Sequence, residues 1–87
     1  MTLKERLANL NNGASTMYGL PKLQQAMTGV VTATVSKSGL VTLTYTDDTT
    51  ESRQATADLL NTEMSTMHVN NLISFVQAGR TPSPKGE

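Results

Sequence analysis

The chain has 87 residues, seven basic and seven acidic side chains, and no cysteine. Its length predicts one small domain, and the absence of cysteine excludes disulfide support, so an oxidising compartment is not indicated. The balanced charge argues against a protein whose main task is to grip phosphate backbones, which leaves at most incidental contact with DNA.

A short helix is the first predicted element. Thr2 and Glu5 form a capping-box pattern, in which each side chain binds the backbone amide of the other residue. Apolar residues follow at helical spacing, at Leu3, Leu7 and Leu10. Alone in water so short a helix is marginal, so it needs a surface to pack on. Two interpretations stay open: the helix packs on its own domain, or residues 1–19 form a helical arm and loop that docks on a neighbouring subunit.

The stretch from Ala14 to Gly19 is predicted to be a loop or a broken turn. Pro21 then suits the start of a second helix, because its missing N–H group is not needed there. Apolar side chains share one face of this helix, at Leu23, Ala26 and Met27. Gly29 ends it.

A β-hairpin from Val30 to Thr46 is the strongest pattern in the chain, because apolar and polar residues alternate strictly along both strands. Lys37-Ser38-Gly39 fits a three-residue loop with glycine in the left-handed conformation. That loop length sets the register. It predicts the apolar pairs Val35/Val41, Ala33/Leu43 and Val31/Tyr45, with Thr34/Thr42 and Thr32/Thr44 on the opposite face.

The polar segment after the hairpin leaves two alternatives. Asp47-Asp48 is either a tight turn after which Thr49 to Arg53 returns as a third, edge strand, or part of a loop that leads to the next helix. A helix follows from about Ala55, with Thr56 or Asp48 as capping candidates and apolar residues at Leu59, Leu60, Met64 and Met67.

The segment Val69 to Ala78 repeats the helical period, and Gly79 ends it. His68, Asn70 and Asn71 predict a kink or two helices between the two apolar stretches. Residues 1–80 are therefore expected to form one α+β domain, with helices packed on a two- or three-stranded antiparallel hairpin or meander in the order α-α-β-β-(β)-α-α. Residues 81–87 contain Pro82, Pro84 and Gly86 and are expected to form a flexible tail.

The sequence predicts no catalytic, cofactor or metal site and no small-molecule substrate. The oxygen-bearing residues from Asp47 to Glu51 lack the spacing of a calcium loop and are better explained as a solvated turn. His68 is the only histidine, so neither a histidine metal cluster nor a serine triad is indicated. No apolar run has the length of a signal peptide or a membrane span, so we expect neither.

The last helix carries the predicted protein interface. Its apolar residues cover more of the helix circumference than a one-sided amphipathic helix needs. This width predicts contact with a protein partner as well as with the core, with Phe75 exposed in the free subunit. The interface candidates are Leu72, Ile73, Phe75, Val76 and Arg80. The five methionines of the chain either fill gaps in the core or line an adaptable binding surface.

Two stretches of the sequence are similar to the head-completion (gpW-like) and head–tail joining proteins of tailed bacteriophages. Leu23 to Gly29, followed by Ala33 to Gly39, resembles that family's glycine-stopped helix and its hairpin with a Lys-x-Gly turn. Val41 to Asp47, with Arg53 and then Asp58-Leu59-Leu60, is similar to the strand, acidic turn, arginine and acidic-Leu helix start of head–tail joining proteins. The resemblance covers roughly residues 21 to 67.

The resemblance implies a structural virion protein without catalytic activity, assembled in the host cytoplasm. Such a protein forms a homo-oligomeric ring between the portal or an adaptor and the tail proteins. The low hydrophobic fraction, 37%, suits a subunit that is stabilised by its neighbours. The alternative is a small phage-encoded inhibitor or regulator that binds a host or defence protein, because such proteins are also small, cysteine-free and without active sites.

Overall fold

An antiparallel sheet of four strands is the central element of the fold. The structure, a computed structural model, describes residues 2–63 and 69–79. The elements follow in the order α1 (Leu3–Ala8), β1 (Ser15–Gly19), α2 (Lys22–Thr28), β2 (Val30–Ser36), β3 (Leu40–Tyr45), β4 (Thr50–Gln54), α3 (Ala57–Leu60) and α4 (Val69–Ala78). Each strand pairs with the next along the chain, so the sheet order is β1-β2-β3-β4. The predicted α+β class is confirmed.

The predicted order α-α-β-β-(β)-α-α is not the observed one, because β1 lies between the first two helices. The expected loop at residues 14–19 is an edge strand that pairs with β2 along its whole length, from Ser15 opposite Ser36 to Gly19 opposite Thr32. The five residues of β1 show no alternation of apolar and polar side chains. Its conformation therefore depends on the pairing with β2 rather than on a local signal.

The hairpin of β2 and β3 has the predicted register over four residue pairs, from Thr32 opposite Thr44 to Val35 opposite Val41. Gly39 has the expected left-handed φ of 93°. The predicted pair of Val31 with Tyr45 is wrong, because the register shifts between residues 30 and 32 and Val30 lies opposite Tyr45. This bulge places Val30 in the core with no exposed surface, while Val31 is only half-buried.

The third strand, left open by the sequence, is present as β4 on the edge opposite to β1. A turn at Asp47 and Asp48 leads into it, and Asp48 adopts a positive φ of 71°. The core lies on one face of the sheet, which we call the inner face. It consists of Leu3, Leu7, Leu20, Val30, Ala33, Val35, Val41, Leu43, Leu59, Leu72, Ile73 and Val76.

Helix α1 packs on its own domain, which is the first of the two interpretations of the N-terminal segment. The predicted capping box of Thr2 and Glu5 is present. Leu3 has no exposed surface, and its N–H group donates a 3.1 Å hydrogen bond to the Thr62 carbonyl. The Lys37 ammonium, at the hairpin turn, binds the Leu10 carbonyl at 2.7 Å just beyond the end of α1. A cation near the C-terminal end of a helix also interacts favourably with its dipole.

Helix α2 does not bury the apolar face that its sequence predicts. Leu23 and Met27 are 72% and 76% exposed, and no residue of the helix is buried. The helix is a seven-residue connection between β1 and β2, and Gly29 ends it in the left-handed conformation. Its tie to the domain is polar, because the Gln25 side-chain amide donates to the Leu20 carbonyl at 2.8 Å. A short connecting helix held in this way leaves its apolar side chains in solvent.

Two separate helices, α3 and α4, form the C-terminal part of the described chain. Thr56 caps α3, since its side chain accepts a hydrogen bond from the Leu59 amide. Residues 64–68 and 80–87 are outside the described part of the chain. The predictions for Met64, Met67 and His68, for Arg80, and for the tail from residue 81 therefore concern residues that the structure does not describe.

Candidate protein-interaction surface

The face of the sheet opposite to the core is a surface without charge. Side chains alternate between the two faces of a strand, and the register places three residues of each strand on this outer face. The outer face consists of Ser15, Met17 and Gly19 from β1, Thr32, Thr34 and Ser36 from β2, Leu40, Thr42 and Thr44 from β3, and Thr50, Ser52 and Gln54 from β4. None of these residues is buried.

Hydroxyl groups and two large apolar side chains make up the chemistry of the outer face. Met17 is 67% exposed on β1 and Leu40 is 40% exposed on β3. The Thr42 and Ser52 hydroxyls lie 3.0 Å apart and hydrogen-bond across the β3–β4 pair. A solvated sheet face normally carries charged side chains, which keep the sheet soluble and protect it from pairing. This face therefore lacks the charged side chains that would oppose contact with another protein.

Strand β1 forms one edge of the sheet, and along it backbone groups are left unpaired by the described residues. The Ala14 carbonyl accepts from the Lys37 amide at 3.2 Å, and the Leu20 amide donates to the Val31 carbonyl at 3.0 Å. In an antiparallel pair only every second residue directs its backbone N–H and C=O groups toward the neighbouring strand. The N–H and C=O groups of Ser15, Met17 and Gly19 therefore point away from β2.

Strand β4 offers the same arrangement along the opposite edge. The Tyr45 amide donates to the Thr49 carbonyl and the Ala55 amide to the Gly39 carbonyl, both at 2.8 Å. By the same alternation, the backbone groups of Thr50, Ser52 and Gln54 point away from β3. Within the described ranges, no hydrogen bond from another element reaches these backbone groups on either edge.

The only charged residues within the four strands, Glu51 and Arg53 of β4, lie on the inner face and are engaged inside the chain. The Tyr45 hydroxyl donates a short hydrogen bond to the Glu51 carboxylate. The Arg53 guanidinium carbon lies 4.1 Å from the centre of the Phe75 ring, and its Nη1 donates to the Phe75 carbonyl at 2.8 Å. Neither charge therefore extends outward from the β4 edge.

The interface residues predicted on the last helix lie mainly in the core. Leu72, Ile73 and Val76 are at most 5% exposed, and they are inaccessible to a partner while α4 remains docked on the sheet. Phe75 is half-buried beneath Arg53, and Arg80 lies outside the described residues. Met17 and Met27, the two methionines among the described residues, are both exposed.

The sequence predicts the threonines that β2 and β3 place on the outer face and leaves the β4 edge open as one of two alternatives, but it does not predict β1. The alternation along β2 and β3 already sets Thr32, Thr34, Thr42 and Thr44 on one side. The signal that could have revealed β1 is weak: a five-residue stretch without charge or proline, Ser15 to Gly19, that ends at Leu20-Pro21.

Depressions elsewhere on the described surface are shallow. The one between α1 and the hairpin turn has a volume of about 210 Å³, below the roughly 300–1,000 Å³ of ligand pockets, and the Lys37 ammonium beside it is already bound to carbonyls. Two others, beside Gly13 and beside the Asp47 turn, have volumes of about 320 and 330 Å³, at the lower end of that range, and both are wide open to solvent. Within residues 2–63 and 69–79, no three His, Cys, Asp or Glu side chains are grouped as a metal site would require.

The Asp47 carboxylate stabilises its own turn. It accepts hydrogen bonds from the Thr49 hydroxyl at 2.6 Å and from the Thr49 amide at 3.1 Å. These bonds lower the pKa of Asp47, the hydroxyl contributing most. An aspartate that accepts hydrogen bonds from the residue two positions further on is typical of a turn, which supports the turn interpretation of this segment.

Comparison of the chain with protein-family models, with curated proteins and with solved structures gave no match. No helix in the described part of the chain is long and apolar enough to cross a membrane.

Proposed function

We propose that the chain is a non-catalytic assembly subunit of the head-completion or head–tail joining class that its sequence resembles. It forms a ring between the portal or an adaptor and the tail of a phage particle. The observation that carries this proposal is the outer face of the sheet, to which every strand contributes and on which no charged side chain lies. Contact with other proteins explains such a surface better than permanent exposure to solvent.

The size of the outer face favours repeated contacts over one pairwise contact. Four strands of about five residues span roughly 17 by 19 Å, or about 300 Å² in projection. A stable pairwise interface takes about 800 Å² from each partner. A ring supplies each subunit with two neighbours in addition to the proteins above and below it, so that several small interfaces add up.

Mass in solution and particle shape test the proposal. Native mass spectrometry of the purified chain at increasing concentration is expected to show a species several times heavier than the 9.3 kDa subunit, and electron microscopy is expected to show it as a ring. Thr34→Lys places a charge at the centre of the outer face and is expected to keep the fold but weaken assembly. Ser74→Lys, which adds the same single charge at an exposed position of α4, is the matched control. A chain that stays at 9.3 kDa at all concentrations, and whose gene is not flanked by portal and tail genes, contradicts the proposal.

Helix α2 favours a second candidate, the inhibitor or regulator. Leu23 and Met27 lie one helical turn apart and are both about three-quarters exposed. Apolar side chains at this spacing are typical anchors for a groove on a partner protein. A monomeric chain that loses its partner on Leu23→Ala and Met27→Ala, with unchanged thermal stability, would support this candidate over the ring.

A further inference from the structure

We infer that the sheet continues from subunit to subunit, with β1 of one copy of this chain pairing with β4 of the next. The inference rests on the proposed assembly role and names the contact that joins neighbours in the ring. Both edges are five residues long, and each directs the backbone groups of three residues outward. All six residues belong to the outer face, and none is charged.

The strand directions suit a closed ring. β1 and β4 run in opposite directions, because each pairing in the order β1-β2-β3-β4 is antiparallel. A neighbour generated by rotation about an axis along the strands therefore presents its β4 antiparallel to β1. Antiparallel pairing of two edges in this head-to-tail manner is heterologous, which is the kind of contact that closes into a ring.

The alternation of backbone groups limits the register. Residues that point outward on β1 must oppose residues that point outward on β4. When the middle residues of the two edges face each other, Met17 lies opposite Ser52 of the neighbour. Three residue pairs then form two backbone hydrogen bonds each, which makes six. On the inner face the same register sets Tyr18 beside Glu51 of the neighbour.

Gly19 leaves open space at the β1 edge that the described residues of the chain do not fill. A Cβ atom at Gly19 would meet nothing within 4 Å, and its φ lies outside the left-handed region. A glycine within a strand weakens it, and often marks a place where another backbone approaches closely. The neighbouring strand is that backbone.

Cysteine trapping tests the pairing directly, since the chain has no cysteine of its own. Residues in a hydrogen-bonded antiparallel pair have Cα atoms about 5.5 Å apart, within the range for a disulfide. A mixture of Met17→Cys and Ser52→Cys chains is expected to form the mixed disulfide on mild oxidation. Within one chain the two positions are three strand spacings apart, roughly 14 Å, which excludes an internal bond. Leu23→Cys, equally exposed but on α2, is the control and is expected to cross-link far more slowly with either chain.

Proline substitutions separate the contact between subunits from the fold of one subunit. Met17→Pro removes only an outward N–H group, so its melting temperature is expected to stay near that of the wild type while the dissociation constant of the assembly rises about tenfold or more. The N–H group of Thr16 points toward β2 within the same chain. Thr16→Pro is therefore the control that destabilises the subunit itself. If Met17→Pro fails to fold, Met17→Lys at this exposed position replaces it.

The outcomes distinguish the inference from the proposed function. A mixed disulfide, together with loss of assembly in Met17→Pro or Met17→Lys, supports the inference. A ring that persists in both variants without the mixed disulfide overturns the inference and leaves the proposed function standing. Rapid disulfide formation by Met17→Cys alone indicates a two-fold β1–β1 contact and also overturns it. A wild-type chain that never assembles overturns both.

Discussion

Replacement of Gly79 by alanine tests whether Arg53 holds the end of α4 against the sheet. Arg53 covers the Phe75 ring at 4.1 Å and binds the Phe75 carbonyl at 2.8 Å. A Cβ atom at Gly79 would overlap Arg53 Cδ and lie 2.6 Å from its Nε, and its three nearest atoms all belong to that side chain. The alanine therefore forces Arg53 to leave its position, without any strain in the backbone of residue 79.

The cost follows from the two contacts that Arg53 makes. A cation–π contact contributes about 0.5–2 kcal/mol, and a hydrogen bond from a charged donor about 1.5–3 kcal/mol. Both groups are half-buried, so the lower part of each range applies and the sum is about 2 kcal/mol. For a domain of this size, 1 kcal/mol shifts the melting temperature by about 4–8 °C, so Gly79→Ala is expected to lower it by about 10 °C.

A double-mutant cycle measured by thermal and urea unfolding isolates this effect. Arg53→Ala alone is expected to cost about 2 kcal/mol. The Arg53→Ala background removes the atoms that a Cβ atom at Gly79 would overlap, so Gly79→Ala is expected to change stability there by less than about 0.5 kcal/mol. Equal costs of Gly79→Ala in both backgrounds, or a neutral Gly79→Ala in the wild type, would refute the reasoning and return Phe75 to the list of exposed interface candidates.

Two further predictions concern the sheet and the first helix. Val35→Asp is expected to unfold the domain, because a buried unpaired carboxylate costs several kcal/mol, while Thr34→Asp on the outer face is tolerated; equal loss of the circular dichroism signal would mean that both faces are covered. Thr2→Ala is expected to cost about 1 kcal/mol in urea unfolding, as the loss of a helix cap does. Hydrogen bonds from the Thr2 amide and hydroxyl lower the pKa of Glu5. The folded value is thus below the unfolded one, so this contribution is present above the unfolded pKa and is lost as the pH falls through the folded pKa; an NMR titration midpoint of Glu5 at its ordinary value would contradict it.

The hairpin could be predicted because its signals are local. Strict alternation fixes the two faces of β2 and β3, and Gly39 fixes the turn between them. The bulge could not be predicted, because Val30 and Val31 are chemically equivalent and only packing decides which of them enters the core. The same limit applies to α2, where an apolar face exists but none of the described residues covers it.

The candidate surface could be predicted only in part, for a related reason. The threonines of β2 and β3 follow from the alternation, whereas the edges require knowledge of β1, whose conformation depends on its long-range pairing with β2. The sequence shows the apolar width of α4, and the structure shows that α4 packs against three strands of the sheet and uses that width within the chain. A broad apolar helix face therefore serves a large intramolecular contact here.

The distribution of charge over the sheet is the reverse of what an isolated domain needs. Only Glu51 and Arg53 are charged within the four strands, and both lie on the inner face, where contacts with Tyr45 and Phe75 hold them. The outer face and the outward backbone groups of both edges lack charged residues, so nothing on them opposes contact with another strand or another protein. In a permanently monomeric protein this arrangement favours aggregation. In an assembly whose neighbours occupy the edges and the outer face, the same arrangement is what allows the subunits to join.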